Sequence, residues 1–324
     1  MSTPLHRQAP QRPEWAVPAG LPLAWSSKSR TTTSAAPNRP LGETTPAVSR
    51  MDSPERTGRT GRVGRTRLEQ IRYGLSDRDW AVVRLVARHR YLTTRQVEGF
   101  CFAGHASELT AARVCRRVLQ RLSKEKVVEP LERRIGGIRA GSASYVWQLG
   151  PVGQRLLHVG TRKRSFEPSA LFLHHSLAVA EAHLALVRAE RAQSLTLECI
   201  ETEPDCWRPY SGLGGSREIL KPDLYVVTVD PSDPDYELRW FIEIDCGTEN
   251  PKRLLEKCRR YLGYAASGTE QQTGGFPVVL FAMTTPAADA SLTQAITEQL
   301  GPDAALFRVT TQDQVARLIA GGLV

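Results

Sequence analysis

Lys221-Pro222-Asp223-Leu224-Tyr225-Val226-Val227 and Trp240-Phe241-Ile242-Glu243-Ile244-Asp245 set three carboxylates into two otherwise apolar stretches. The second stretch alternates strictly. As a strand it presents Phe241, Glu243 and Asp245 on one face and Trp240, Ile242 and Ile244 on the other. Side chains two apart on a strand lie about 7 Å apart on the same face, so Glu243 and Asp245 are neighbours. Burying unpaired carboxylates is costly, and the remedies are a cation, a hydrogen-bonding network or an arginine. If an adjacent strand brings Asp223 alongside, three acidic groups converge, and such hard oxygen donors suit Mg²⁺ or Mn²⁺. Glu181, on a helix ahead of these strands, is an auxiliary ligand candidate. The bland alternative puts Glu243 and Asp245 at a solvated strand end, paired with Lys252 or Arg253.

Positioning these groups requires a sheet with flanking helices. Apolar periodicity predicts a helix over 170–192, which carries His174, His175, Glu181 and His183. The histidines read as core-edge or capping residues, since adjacent histidines do not share a helix face. A strand follows at 195–200, and 203–218 reads as loop. After the two acidic strands come a helix at 251–266 with Lys257 and Tyr261, a strand at 277–283, a helix at 287–299, a strand at 305–309 and a helix at 312–320. The order α-β-β-β-α-β-α-β-α predicts an α/β domain with a mixed sheet over 168–324.

Charge divides the chain. The net charge of +9 arises from +7 in residues 1–75, +8 in 76–158 and −6 in 159–324. Residues 1–72 are rich in Pro, Ser, Thr, Gly and Arg, too poor in apolar residues to offset chain entropy, and are expected to be a disordered basic tail. Residues 73–160 predict three helices: about 77–89 capped by Ser76, 94–102 capped by Thr93, and 108–123. Two strands around a Gly- and Arg-rich turn follow. That pattern spells a winged helix-turn-helix. The third helix sets Leu109, Cys115, Leu119 and Leu122 on one side and Arg113, Arg116, Arg117 and Arg121 on the other. In a major groove those arginines would meet guanine edges or phosphates, and Arg133, Arg134 and Arg139 of the wing would follow the backbone. The bland reading is a winged helix for protein contact whose arginines solvate a face.

The six cysteines form no C-x-x-C pair, which argues against zinc and a disulfide framework, and predicts reduced thiols in the cytoplasm. Phe276–Met283, the longest apolar run, is too short for a membrane span.

Pro222-Asp223 followed by Glu243, in this element order, resembles the PD-(D/E)xK nuclease fold. Where that family has lysine, two positions after Glu243, this chain has Asp245. Some members carry the lysine on the following helix, where Lys257 could serve, and Lys221 is a second candidate. Residues 75–285 also resemble the actinobacterial replication-relaxation family. The resemblance rests on Leu75-Ser76-x-Arg78-Asp79, the R-R-V-L-Q-R-L helix from Arg116, the L-x-H-x-L-A-V-A-E helix from Leu173, Lys221-Pro222-Asp223, and the E-I-D-x-G-T-E segment from Glu243 with Lys257 and Arg260-Tyr261 beyond it. It implies a role in replication, nicking or mobilisation of plasmids and integrated elements. The partner would be double-stranded DNA at such an origin, and a homodimer is one assembly such a chain could form.

Two functions then compete. In the first, the chain is a metal-dependent endonuclease or nickase, with Asp223, Glu243 and Asp245 holding Mg²⁺ or Mn²⁺ and Lys257 facing the developing oxyanion. In the second it is a non-catalytic DNA-binding initiator or regulator on a degenerate nuclease scaffold, which Asp245 in place of lysine favours. A relaxase with a covalent tyrosine is disfavoured. Its usual H-x-H is missing, and Tyr261 and Tyr264 read as helix packing.

Overall fold

The computed structural model describes residues 63–105, 107–131, 145–158, 168–229, 237–272 and 275–321. Residues 1–62, expected to be a disordered tail, and the Gly- and Arg-rich turn expected to tip a wing lie outside these residues. From Leu68 to Val324 the chain forms one compact unit.

Helix α1 spans Arg65–Gly74, so the end of the segment expected to be disordered is helical. Its sequence hides the helix because it buries little beyond Ile71. Helix α2 (Asp77–His89) starts at a capping box in which Ser76 and Asp79 exchange hydrogen bonds. Strand β1 (Leu92–Thr93) leads to α3 (Thr94–Cys101), where Thr93 and Gln96 make a second box. Helix α4 (Glu108–Lys124), capped by Ser107, buries Ala111, Cys115, Leu119 and Leu122, spacing that keeps one face inward. Leu109, expected on that face, is exposed, because it sits in the first turn beyond the packed part. Strands β2 (Val128–Pro130) and β3 (Val146–Leu149) pair antiparallel, and β1 adds to β3. Helix α5 (Pro151–Leu156) ends this part. Three helices beside a small three-stranded sheet are compatible with a winged helix-turn-helix.

Asp79 ties the part together. It is buried and takes the Arg121 guanidinium of α4 and the Ser76 hydroxyl. Burial pushes its carboxyl up, but Arg121 and Ser76 more than offset this and hold it below the usual carboxylate range.

Helix α6 (Ala170–Arg191) joins front to rear. By length and composition it is long and apolar enough to cross a membrane, although no unbroken apolar run marks it. Its apolar residues face two neighbours instead. Leu173 and Leu177 pack with Leu131 and Val146 of the front, while Ala182 and Leu186 pack on the sheet behind. That sheet is built from β4 (Leu197–Thr202), β7 (Leu224–Val229), β8 (Glu237–Ile244), β9 (Val278–Met283) and β10 (Phe307–Thr311), in the order β10-β9-β8-β7-β4. Between β4 and β7 a hairpin of β5 (Arg208–Ser211) and β6 (Arg217–Leu220) occupies the stretch read as loop. Strands β4, β7 and β8 form an antiparallel meander. Helix α7 (Pro251–Ala266) then crosses to β9, parallel to β8, and α8 (Pro286–Leu300) crosses to β10, parallel to β9. Helix α9 (Val315–Ala320) closes the chain against α6. One sheet face meets α7 and α8 through Phe241, Tyr261 and Phe281. The other meets α6 and α9 through Trp240, Ile242 and Ile319. The α/β class and the mixed sheet are as expected.

Front and rear are pinned by polar groups. Arg88 of α2 donates to the Ile200 carbonyl and to Thr202 of β4. Gln96 donates to the Leu177 carbonyl at 2.9 Å, and Arg191 to the carbonyls of Gly99 and Phe100. At the centre, His89 Nε2 and His183 Nδ1 lie 2.9 Å apart, both buried. Burial, with Arg88 adding to it, pushes His89 down to about 3 and His183 well below its ordinary value. Both are therefore neutral when folded.

A depressed histidine stabilises the fold fully above the unfolded value near 6.5, and that stability is lost as pH falls toward the folded value. Urea denaturation is expected to show a loss of roughly 2 kcal/mol from His89 alone between about pH 6.5 and 4.5. The double variant His89→Phe, His183→Leu should flatten that slope. An unchanged slope would contradict the assignment.

Candidate active site

Asp223 stands where the chain turns into β7. Proline before it favours an extended approach, and the Cys206 thiol donates to the Pro222 carbonyl at 3.0 Å. The last registered pair is Leu224 with Ile242, so one step further Asp223 faces Glu243 across the ladder. Asp223 is buried, and both its oxygens are engaged. The Ile244 amide donates to Oδ2 at 2.7 Å, and His175 Nε2 of α6 lies 2.9 Å from Oδ1. The hydrogen bond to Asp223, seconded by one to Cys246, pushes His175 up to about 10, so it is an imidazolium at neutral pH. His175, read from sequence as a bland helix residue, is thus a site residue.

Glu243 is buried and bound by two groups one helical turn apart on α7. Lys257 Nζ donates to Oε2 at 2.9 Å and the Tyr261 hydroxyl to Oε1 at 2.6 Å. The spacing Lys257-x-x-x-Tyr261 puts both on one face, and that signal was present in the sequence. Tyr261 is no mere packing residue, and Tyr264 donates to Glu270 at 2.7 Å. Burial pushes Glu243 up to about 7. Lys257 pulls it down and Asp223 pushes it further up. Burial also works against the Lys257 charge, but Glu243 more than offsets this and holds the lysine above its ordinary value. Lys257 therefore keeps its proton, and Glu243 is the member that titrates. The solvated strand end paired with Lys252 or Arg253 is overturned: Glu243 is buried, and its cation is Lys257.

Asp245 is buried at the end of β8. Its Oδ2 accepts from the Gly247 amide at 2.9 Å, and its Oδ1 is buried with no partner. Gly247 has φ 74°, which a side chain would strain. Glu249 Oε2 lies 3.1 Å from Lys257 Nζ but outside hydrogen-bond alignment, so that contact is electrostatic only. Glu181 is held elsewhere, by Gln96 at 3.1 Å and Arg188 at 3.2 Å. The structure thus gathers Asp223, Glu243, Lys257, His175 and Tyr261 and leaves Glu181 apart. Lys221 rests over the Trp207 ring at 4.5 Å. Among the described residues no three or more His, Cys, Asp or Glu side chains are grouped so as to hold a metal ion.

On α4, Arg113, Arg116 and Arg117 are exposed, whereas Arg121 is taken by Asp79. Arg133, Arg134 and Arg139 lie outside the described residues.

Residues 83–279 match the replication-relaxation family. The chain belongs to that family. Membership assigns it to replication or relaxation, and the matched span runs from α2 to β9, so it contains every site residue above. No curated protein and no solved structure matches the chain.

Because the folded Glu243 value lies above the ordinary one, its contribution to stability is complete below about pH 4.5 and is lost as pH rises through about 7. Tyr261→Phe removes a donor to the ionised form. It is expected to cost about 1–3 kcal/mol at pH 8 and distinctly less at pH 5.5, by urea denaturation in EDTA. An equal cost at both would show that Tyr261 matters only for packing.

Proposed function

We propose that this replication-relaxation protein binds double-stranded DNA of a plasmid or integrated element and hydrolyses a phosphodiester in it, as a nickase or endonuclease. The observation that carries this reading is the Lys257–Glu243 pair opposite Asp223. A lysine arriving from α7 fills the role that Asp245 leaves vacant on β8. The meander, crossover helix and parallel fourth strand are the arrangement a PD-(D/E)xK fold requires. The helical front acts as a winged helix-turn-helix, with Arg113, Arg116 and Arg117 toward the groove.

The donor set suits Mg²⁺ or Mn²⁺. Mg²⁺ is commonly held by one or two carboxylates completed by substrate phosphate oxygens and water. Asp223 and Glu243 supply that number, and the unpartnered Oδ1 of buried Asp245 is a further oxygen. The cation would lower the pKa of an attacking water and neutralise phosphate charge. The chain's own residues do the rest. The Ile244 amide and His175 fix the rotamer of Asp223, and Tyr261 fixes that of Glu243. Lys257 holds a positive charge, partly desolvated, where the pentacovalent phosphate gathers negative charge. The departing 3′ oxygen takes its proton from solvent.

Asp245 at the usual lysine position favours the other reading, a DNA-binding initiator or regulator without catalysis. Nicking of supercoiled element DNA in Mg²⁺ or Mn²⁺, against EDTA, separates the two. Asp223→Ala and Glu243→Ala are each expected to lose at least about 100-fold in rate with duplex affinity retained. Replacing Arg113, Arg116 and Arg117 by alanine should weaken duplex binding and flatten its salt dependence. Tight duplex binding with no nicking in any metal would overturn the nuclease reading.

A further inference from the structure

Beside Asp223 lies a feature the proposed chemistry does not use. At the start of α6, Phe172 is 39% exposed. Tyr91 stands edge-on behind it, with ring centroids 6.2 Å apart, and the Arg90 guanidinium lies 5.9 Å from its ring centre. Arg90 and Phe172 line a small open cleft with Arg88, His175, Glu203 and Asp223. Arg88 is committed to β4, and Arg90 meets Glu203 only at 3.8 Å with Arg90 exposed and Glu203 partly so, a pair worth little in water. Arg90 is thus free to exchange Glu203 for a phosphate. Tyr91 also packs with Leu131, Val146, Leu173 and Leu177. The shelf therefore sits between the strands that carry the wing and the Asp223 carboxylate.

An exposed ring flanked by a guanidinium, leading toward carboxylates, is how single-stranded nucleic acid is received. Bases stack on aromatic faces regardless of sequence, and cations follow the backbone. We propose that Phe172, backed by Tyr91 and flanked by Arg90, is a stacking shelf for an unpaired base of single-stranded DNA, delivering the adjoining phosphodiester toward Asp223 and Glu243. This rests on the DNA reading above and deepens it: the substrate at the carboxylates is a melted strand, while the front holds duplex.

The test uses the full chain and two fluorescent probes, an oligo-dT carrying one 2-aminopurine and a duplex of the same length, in EDTA. Phe172→Ala is expected to weaken single-strand binding about tenfold and abolish 2-aminopurine quenching, with duplex affinity unchanged. Phe172→Trp should restore both. Arg90→Gln should weaken single-strand binding without removing the quenching. Thermal unfolding confirms that each variant is folded, and Phe172→Leu keeps the packing while losing the ring. Equal binding by Phe172→Ala and wild type overturns the shelf, as does equal loss on both probes. Duplex binding without single-strand binding in the wild type overturns the shelf alone. Failure to bind either probe overturns the DNA reading itself.

Discussion

A carboxylate buried in the sheet, Glu243, is the constraint around which the rear of the molecule is arranged. An ion of that kind cannot be left without partners. Strand β8 delivers it toward α7, and α7 answers with a lysine and a tyrosine four residues apart. Asn250 and Pro251 fix where α7 begins, and so fix which face Lys257 and Tyr261 occupy. Asp223, one register step beyond the last pair of the ladder, raises the proton affinity of Glu243 and is itself restrained by the Ile244 amide and His175. The result is two opposed carboxylates, each with both oxygens engaged by fixed partners. This is preorganisation of the sort that catalysis and cation binding both need.

The front is bound to this centre by a continuous body. Helix α6 carries His175 to Asp223 near one end and His183 to His89 of α2 further along. Arg88, one residue before His89, reaches the backbone of β4. The basic helix α4 of the front and the carboxylate site of the rear are thus held in one compact unit. Arg121 illustrates the same economy. It sits on the basic side of α4, yet its charge is used inside the protein to satisfy Asp79.

The legible parts of the sequence were those with local causes. Alternation in 240–245 reported β8 with the right faces, and caps at Ser76 and Thr93 reported where α2 and α3 begin. The β5–β6 hairpin was invisible because most of its residues are exposed and carry no apolar rhythm. Helix α1 was invisible for a similar reason. Lys257 is legible only through a family resemblance, and Tyr261 reads as helix packing although its spacing from Lys257 places the two on one face. The His175–Asp223 and Arg121–Asp79 contacts bridge 48 and 42 residues. Neither periodicity nor capping reports on such pairings, since the fold alone brings them together.

The most direct measurement of the central claim concerns Lys257. Single-turnover cleavage by Lys257→Met should be set beside calorimetric Mn²⁺ binding and duplex affinity of the same variant. If the lysine has moved from β8 to α7, cleavage falls about 100-fold or more, Mn²⁺ binds at least as tightly because a competing cation is gone, and duplex affinity is unchanged. Cleavage at the wild-type rate, or loss of metal and DNA binding together with cleavage, would contradict the account.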